Sequence, residues 1–479
     1  MVQIKTANAL RILLVKPYQK TNEVQPPLGL GYLASTVRKE HHVEILDCIK
    51  LNMPITKFEL YLKNQKAAGI VYDVIGFQCY TVDLNTVKDF SRIAKRIFPK
   101  SITLVGGPQP TLDPASTLLY LKHVDYAFIS EAEISFPKFI HALTFSAGPS
   151  KKLSRDVLET ISGIAFRIGS DVEFTEREFP EVLDQYDPSW DLFDLKSYPL
   201  APHGAFCKQS PTAPLIITRG CPFQCTYCGG PLISGHKIRS HSVTYAIKQI
   251  ETLVKKYGIK EIHIEDDNFT MNRKFVEQFC KTIIKKKWGI SWACPNGVRI
   301  DTLDPKLLRL MKKSGLYSVS VGVESGVDRI RKLMKKNLMT KTIEEKANMI
   351  HDEGLEMIGF FIVGYPGETK ADINATIDLA CKLPLKRAGF SAYKPFPGTE
   401  AYTQLVEQGK IKRMKWENFS LDKVAWAPNG MTEKELKNLR RKAFFKFYLR
   451  PKIMWKMLTE IRNFQQLKFI IVRIFRWMS

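Results

Sequence analysis

The chain has 479 residues, room for about three domains of ordinary size, and its 44% hydrophobic content suffices for more than one core. Nine Cys without a disulfide-like framework, and no apolar run both long and uncharged enough to span a bilayer, exclude a secreted disulfide scaffold and an integral membrane protein. A polar N-terminus without a signal core leads us to expect a cytoplasmic protein, and the net charge of +24 makes the location of the excess Lys and Arg informative.

Residues 1–148 read as alternating strands and helices. Apolar runs at 11–15, 43–46, 72–77, 102–105 and 124–129 are of buried-strand type, with helices such as 28–37 and 85–97 between them. This alternation predicts a doubly wound, flavodoxin-like parallel sheet. Such sheets bind ligands beyond the carboxyl ends of their strands, here the loops 16–30, 78–85, 106–112 and 130–134. Gly106-Gly107 allows backbone to approach a bulky ligand, and Thr81 offers a hydroxyl on a neighbouring loop.

Residues 149–213 change character and are expected to form a connector. A small hairpin is predicted over 163–175, with Gly169-Ser170-Asp171 at its turn. The acidic, aromatic stretch 183–193, broken by Pro188, reads as a strap or a plain surface linker.

From 214 to 400 strands and helices alternate again. Strands are predicted at 215–218, 261–265, 291–294, 317–323, 357–363 and 390–393, with helices at 243–257, 273–286, 305–313 and 371–382. Six such units suggest an open, partial (β/α)6 barrel, whose chemistry would lie at the carboxyl ends of the strands. Just after the first strand comes Cys221-Pro-Phe-Gln-Cys225-Thr-Tyr227-Cys228. Three thiols at this spacing can converge on one metal centre. Three protein thiolates suggest a cluster with one open corner, whereas structural zinc would want a fourth ligand.

The Cys-x-x-x-Cys-x-x-Cys motif, with Tyr227 before its last Cys, resembles the signature of the radical S-adenosylmethionine (SAM) enzymes. The segments Pro-Pro-Leu-Gly-Leu-Gly-Tyr-Leu-Ala (26–34), Val-Glu-Ile-Leu-Asp (43–47), Gly-Phe-Gln-Cys-Tyr-Thr (76–81) and Val-Gly-Gly-Pro-Gln-Pro-Thr (105–111) resemble the cobalamin-binding domain found ahead of many radical SAM cores. The resemblance implies a 4Fe-4S cluster on Cys221, Cys225 and Cys228. It implies SAM contacts from Tyr227 and from successive strand ends: Glu265, Asp266, Arg299, Glu324, Gly364 and Pro366. Cobalamin would be held by Pro26, Leu28, Gly29, Tyr80, Thr81, Gly106, Gly107, Pro108, Gln109 and Glu131. One departure is informative. Where mutase-type cobalamin domains carry Asp-x-His-x-x-Gly, this chain reads Lys16-Pro-Tyr-Gln-Lys-Thr-Asn22, so we expect base-off cobalamin without a His lower ligand.

The chemistry implied is reductive cleavage of SAM, removal of a hydrogen atom from an unactivated carbon, and delivery of a methyl group from cobalamin. The expected partners are a small-molecule or lipid substrate and a reductant such as flavodoxin or ferredoxin. A non-methylating cyclase or rearrangement enzyme is the alternative. A cobalamin carrier or sensor with an inert barrel is the non-enzymatic one. A methylthiotransferase is disfavoured, because the first domain holds only Cys48 and Cys79 where a further Cys triad would be needed.

Residues 401–479 are predicted to be a basic helical extension. Thr432 and Glu435 have the spacing of a capping box, followed by Leu436, Leu439, Ala443 and Phe447 on one face. From 431 to 479 there are thirteen Lys/Arg against three Asp/Glu, a net +10 interleaved with aromatics. Such helices either pack on the barrel with a solvated basic face or lie on an anionic membrane surface, here the inner face. Nucleic acid is not an expected partner.

Overall fold

The computed structural model describes residues 9–21, 23–146, 152–199, 207–411, 414–420, 422–461 and 467. The chain divides into two compact units, Met1–Tyr198 with Leu232–Gly235, and Pro199–Pro231 with His236–Ser479.

The first unit is built on one sheet. Its strands are β1 (Arg11–Lys16), β2 (His42–Asp47), β3 (Val74–Gln78), β4 (Ile102–Gly106), β5 (Tyr126–Phe128), β6 (Ile164–Ile168) and β7 (Asp171–Phe174), in the order β2-β1-β3-β4-β5-β6-β7. The first five are parallel. Helices cover the sheet, so β1, β3 and β4 are buried at nearly every position and read in the sequence as unbroken apolar runs.

The separate connector expected at 149–213 is corrected. Its hairpin continues this sheet, with β6 antiparallel to β5 and β7 antiparallel to β6. The 183–193 stretch is no loose linker either, because its aromatic groups bury themselves. Trp190, Phe193 and Tyr198 are in the core, Arg38 Nη2 meets Asp191 Oδ2 at 2.6 Å, and the Tyr198 hydroxyl donates to Asp47 Oδ2 at 2.9 Å.

The second unit carries β8 (Thr212–Leu215), β9 (Thr218–Arg219), β10 (Arg239–Ser240), β11 (Glu261–Ile264), β12 (Ser291–Val298), β13 (Leu316–Glu324), β14 (Glu356–Val363) and β15 (Arg387–Ala392). Six of these form an all-parallel sheet in the order β8-β11-β12-β13-β14-β15, which is the open six-unit barrel expected. Four of the helices between strands begin at side-chain caps where Ser242, Asn272, Asp304 and Thr369 each accept a backbone N–H.

The first barrel strand is displaced from its expected place. β8 ends at Leu215, and Thr218–Arg219 instead pairs antiparallel with β10. Asp266 causes the departure. Its carboxylate accepts the N–H groups of Ile217 (2.7 Å) and Thr218 (2.8 Å), which a continuing strand would have given to the sheet.

The C-terminal helix Glu433–Tyr448 starts at the capping box predicted, Thr432 with Glu435. It buries Leu436, Arg440, Ala443 and Phe447; Leu439 is half-buried, and Arg440 takes the fourth inward position, its guanidinium held by the carbonyls of Asp422 and Lys423. Several of its charged side chains are paired on the barrel, among them Lys446 with Asp378 and Glu435 with Lys370. Among the described residues no helix is long and apolar enough to cross a membrane.

Candidate functional site

In the barrel unit the cysteine motif occupies the loop between β9 and β10, and backbone bonds from distant segments fix its shape. Thr226 N donates to Met334 O (3.1 Å), Ala401 N donates to Thr226 O (2.9 Å), and the Thr226 and Tyr365 hydroxyls lie 2.6 Å apart. Segments following β13 and β15 thus grip the loop between its second and third thiols. Cys221 Sγ accepts from Asn268 Nδ2 at 3.1 Å, and Cys228 Sγ from Gly230 N at 3.3 Å. Donors aimed at sulfur stabilise negative charge on a ligating thiolate and tune the potential of an iron–sulfur centre.

Among the described residues no three Cys, His, Asp or Glu side chains are close enough to hold a single metal ion. A four-iron cube spreads its thiolates over separate corners and does not ask for that closeness. The three thiols nevertheless feel one another: burial pushes Cys228 up to about 12, with the charges of Cys225 and Cys221 adding to the rise. Burial also raises Cys225, while Lys336 and Arg299 oppose the rise. Thiols so placed bind metal only on releasing their protons.

The barrel strand ends carry charge. Glu324 closes β13 with φ 65°, and its Oε1 accepts from Lys336 Nζ at 2.9 Å, the carboxylate buried and the lysine half-buried. Gly322 makes this possible, because a Cβ there would stand 2.2 Å from Glu324 Oε1. Burial first, and then the neighbouring Glu324, Cys225 and Cys228, raise the Tyr227 phenol well above its usual range. Glu265 is half-buried, and its carbonyl accepts from Asn296 Nδ2 (2.8 Å). After β14, Gly364 (φ 81°) and Tyr365 present their N–H groups to Glu368 Oε2 at 2.5 and 3.1 Å, with Pro366 on the same turn. The other oxygen, Glu368 Oε1, is buried without a partner, as is the Tyr393 hydroxyl just after β15.

Two residues expected to contact SAM are engaged within the chain. Asp266 points into the protein with its oxygens taken by Ile217 N, Thr218 N and the Thr218 hydroxyl, and so shapes the cysteine loop. Burial raises it to about 7. Arg299 commits its fork to Asp301 (3.0 and 2.7 Å) and lies 3.9 Å from the Phe223 ring centroid, bracing the cysteine loop. Sequence reasoning missed Asn268, Thr226, Lys336 and Glu368. Only Asn268 carried a signal, as the last residue of the run closing the second barrel strand.

In the first unit the loops beyond the strand ends are stitched together. Cys79 N donates to Gly106 O (2.8 Å) and Gln109 N to Cys79 O (3.0 Å), while Ser130 N donates to Thr111 Oγ1 (2.8 Å). Within this unit Ser130 Oγ and Arg177 Nη1 also donate to the carbonyls of Ile233 and Leu232. Thr81 and Gln109 are buried, Gly106, Gly107, Pro108 and Glu131 half-buried, and Tyr80 exposed. Pro26 and Leu28 are buried and Gly29 exposed, in the loop that Lys16 Nζ anchors through Gln25 O at 2.8 Å.

Four buried acceptors at this edge have no partner: Gln25 Oε1, Gln78 Oε1, Asp83 Oδ1 and Gln109 Oε1. Burial lifts the Asp83 carboxyl to about 7, so near neutrality it donates as well as accepts. Such an edge fits a corrinoid, whose rim is a ring of amides. His41 and His42 stand at the start of β2, the opposite end of the sheet. None of the segments 17–27, 48–54, 79–83, 107–113 and 129–134 contains a histidine.

Comparison with known proteins agrees with both halves. The pattern of the B12 binding domain matches residues 19–140, and that of the Radical SAM superfamily residues 215–380. An uncharacterized methyltransferase of Pyrococcus horikoshii is 30% identical over 95% of this chain and 96% of its own length. The cytidylyl-2-hydroxyethylphosphonate methyltransferase of Streptomyces wedmorensis is 26% identical over 80% of this chain and 78% of its own. Among solved structures, the radical SAM methyltransferase TsrM of Kitasatospora setae, with cobalamin and a 4Fe-4S cluster bound, superposes with a TM-score of 0.66 at 16% identity, covering 88% of this chain and 83% of that one. With its thiol triad on an open six-stranded barrel and its B12-binding sheet ahead of it, the chain belongs to the cobalamin-dependent radical SAM enzymes.

Proposed function

We propose that this enzyme methylates an unactivated carbon of an organic substrate, using base-off cobalamin. The observation that carries the reading is the pairing, in one chain, of a sulfur-donor loop with a histidine-free corrinoid edge. When bound, the cluster with SAM supplies one-electron hydrogen-atom abstraction and cobalamin supplies the methyl group. Cys221, Cys225 and Cys228 would hold the cluster, with Asn268 and Gly230 N donating to two of the sulfurs. Lys336 and Arg299 offset the negative charge of the thiolates. The Glu324–Lys336 pair and the turn latched by Glu368 offer a carboxylate, an ammonium and backbone groups to a zwitterionic nucleoside such as SAM. Gln25, Gln78, Asp83 and Gln109 would receive the corrin amides. Electrons would come from a flavodoxin- or ferredoxin-type reductant.

The test is anaerobic reconstitution with iron, sulfide, SAM and cobalamin, followed by mass spectrometry of cell extracts incubated with the enzyme. A product heavier by one methylene unit is expected. A product lighter by hydrogens would replace methylation with cyclisation, and failure to cleave SAM would leave only a cobalamin carrier.

A further inference from the structure

The two C-terminal helices treat their apolar residues in opposite ways. Glu433–Tyr448 is packed: Leu436 fills the space over Gly364, Phe447 meets Phe390 with ring centroids 6.4 Å apart, and the Tyr448 hydroxyl donates to Ala388 O at 2.9 Å. The helix Pro451–Thr459 that follows buries only Ile453. Met457 is half-buried on the same side, while Met454 (43% exposed), Trp455 (70%) and Leu458 (60%) turn outward, beside Leu449 at 61%. At 3.6 residues per turn, Pro451, Met454, Trp455 and Leu458 form one stripe on the side away from Ile453. A lone exposed Leu would need no explanation; a helical stripe with Trp at its centre does.

Charge decides what this stripe meets. Lys452 and Lys456 lie beside it, and the chain from 462 to 479 adds Arg462, Lys468, Arg473 and Arg476 with no Asp or Glu. The one acidic residue of the region, Glu460, is already paired with Lys386 and Arg387. A second copy of a chain carrying +24 would bring like charge against like. An aliphatic stripe with Trp and flanking Lys suits the boundary between anionic headgroups and acyl chains, where Trp favours the interface and long Lys stems reach back to phosphate.

We propose that the Pro451–Thr459 helix docks the enzyme on an anionic membrane surface, with Met454, Trp455 and Leu458 inserted among the headgroups and Lys452 and Lys456 at their phosphates. The inference is independent of the methylation reading.

The test is flotation of the full-length, cluster-loaded enzyme with phosphatidylcholine vesicles, with and without phosphatidylglycerol. The enzyme should float with the anionic vesicles only. Combining Trp455→Glu with Leu458→Glu should cut the bound fraction at least about tenfold, with circular dichroism and cluster absorbance unchanged. Combining Lys452→Gln with Lys456→Gln should weaken binding and flatten its salt dependence. Wild type that stays in the soluble fraction, equal binding to neutral vesicles, or a Trp455/Leu458 variant that floats like wild type would overturn the proposal. So would a wild-type dimer that this variant converts to a monomer, since the stripe would then be an interface between copies.

Discussion

Both units place their candidate sites at the carboxyl edge of a parallel sheet, yet they furnish that edge with opposite chemistry. At the edge of the first sheet, backbone bonds among Cys79, Gly106 and Gln109 tie the loops, and the unpartnered groups are amides and a carboxyl shifted to about 7. At the edge of the barrel the groups are thiols, the Glu324–Lys336 pair and the Arg299–Asp301 pair. The first suits a large ligand rimmed with amides. The second suits a charged cluster and a zwitterion. The lesson is that a parallel-sheet edge fixes where a ligand goes, while side-chain charge fixes which one.

The contrast can be broken most severely at the thiols. Replacing Cys221, Cys225 or Cys228 by Ala should abolish the cluster, read as loss of bound iron and of its visible absorbance, while corrinoid loading stays at the wild-type level. Parallel loss of both cofactors would refute the division of labour.

Next in size is the ion pair of Lys336 with the buried Glu324. Lys336→Met leaves Glu324 buried and unpaired, which should cost about 3 kcal/mol of stability in urea unfolding. Adding Glu324→Gln should restore much of it, and SAM binding should weaken in both variants. A Lys336→Met variant as stable as wild type would show that the pair carries no such weight.

The corrinoid edge makes a spectroscopic prediction. The electron paramagnetic resonance spectrum of bound cob(II)alamin should lack nitrogen superhyperfine splitting, because no strand-end loop offers an imidazole. Resolved nitrogen splitting would contradict the base-off, His-free arrangement.

The last effect concerns the turn after β14. Burial lifts the Glu368 carboxyl from 4.5 to about 8, so between those values the folded chain holds a proton that the unfolded chain has released. The stability this contributes is full below pH 4.5 and is lost as pH rises through about 8. Glu368→Gln, whose amide oxygen can still accept from Gly364 and Tyr365, should flatten the fall in stability by at most about 1.4 kcal/mol per pH unit over that window. Identical slopes for variant and wild type would place the proton elsewhere.

Much of the fold was legible because buried parallel strands write themselves as apolar runs, as at 11–15 and 102–105, and because a capping box such as Thr432 with Glu435 marks a helix start locally. The failures had distant causes. Asp266 withdraws the N–H groups of residues 217 and 218 from some fifty positions away, so the run at 215–218 looked like one strand. The β6–β7 hairpin belongs to the first sheet because its partner β5 lies well upstream. Lys336 was hidden in a run of basic residues, and nothing local marks it as the partner of Glu324. The cysteine triad was plain from spacing, but the donors to its sulfurs, Asn268 above all, depend on how the loops close.

The most direct measurement follows a deuterated methyl group. Reconstituted enzyme, reductant, corrinoid and SAM labelled on its methyl carbon are incubated with the substrate fraction, and products are analysed by mass spectrometry. The account predicts an intact deuterated methyl group on a carbon of the product, with deoxyadenosine formed in the same reaction. Deoxyadenosine formed with a product that has gained no label would contradict it.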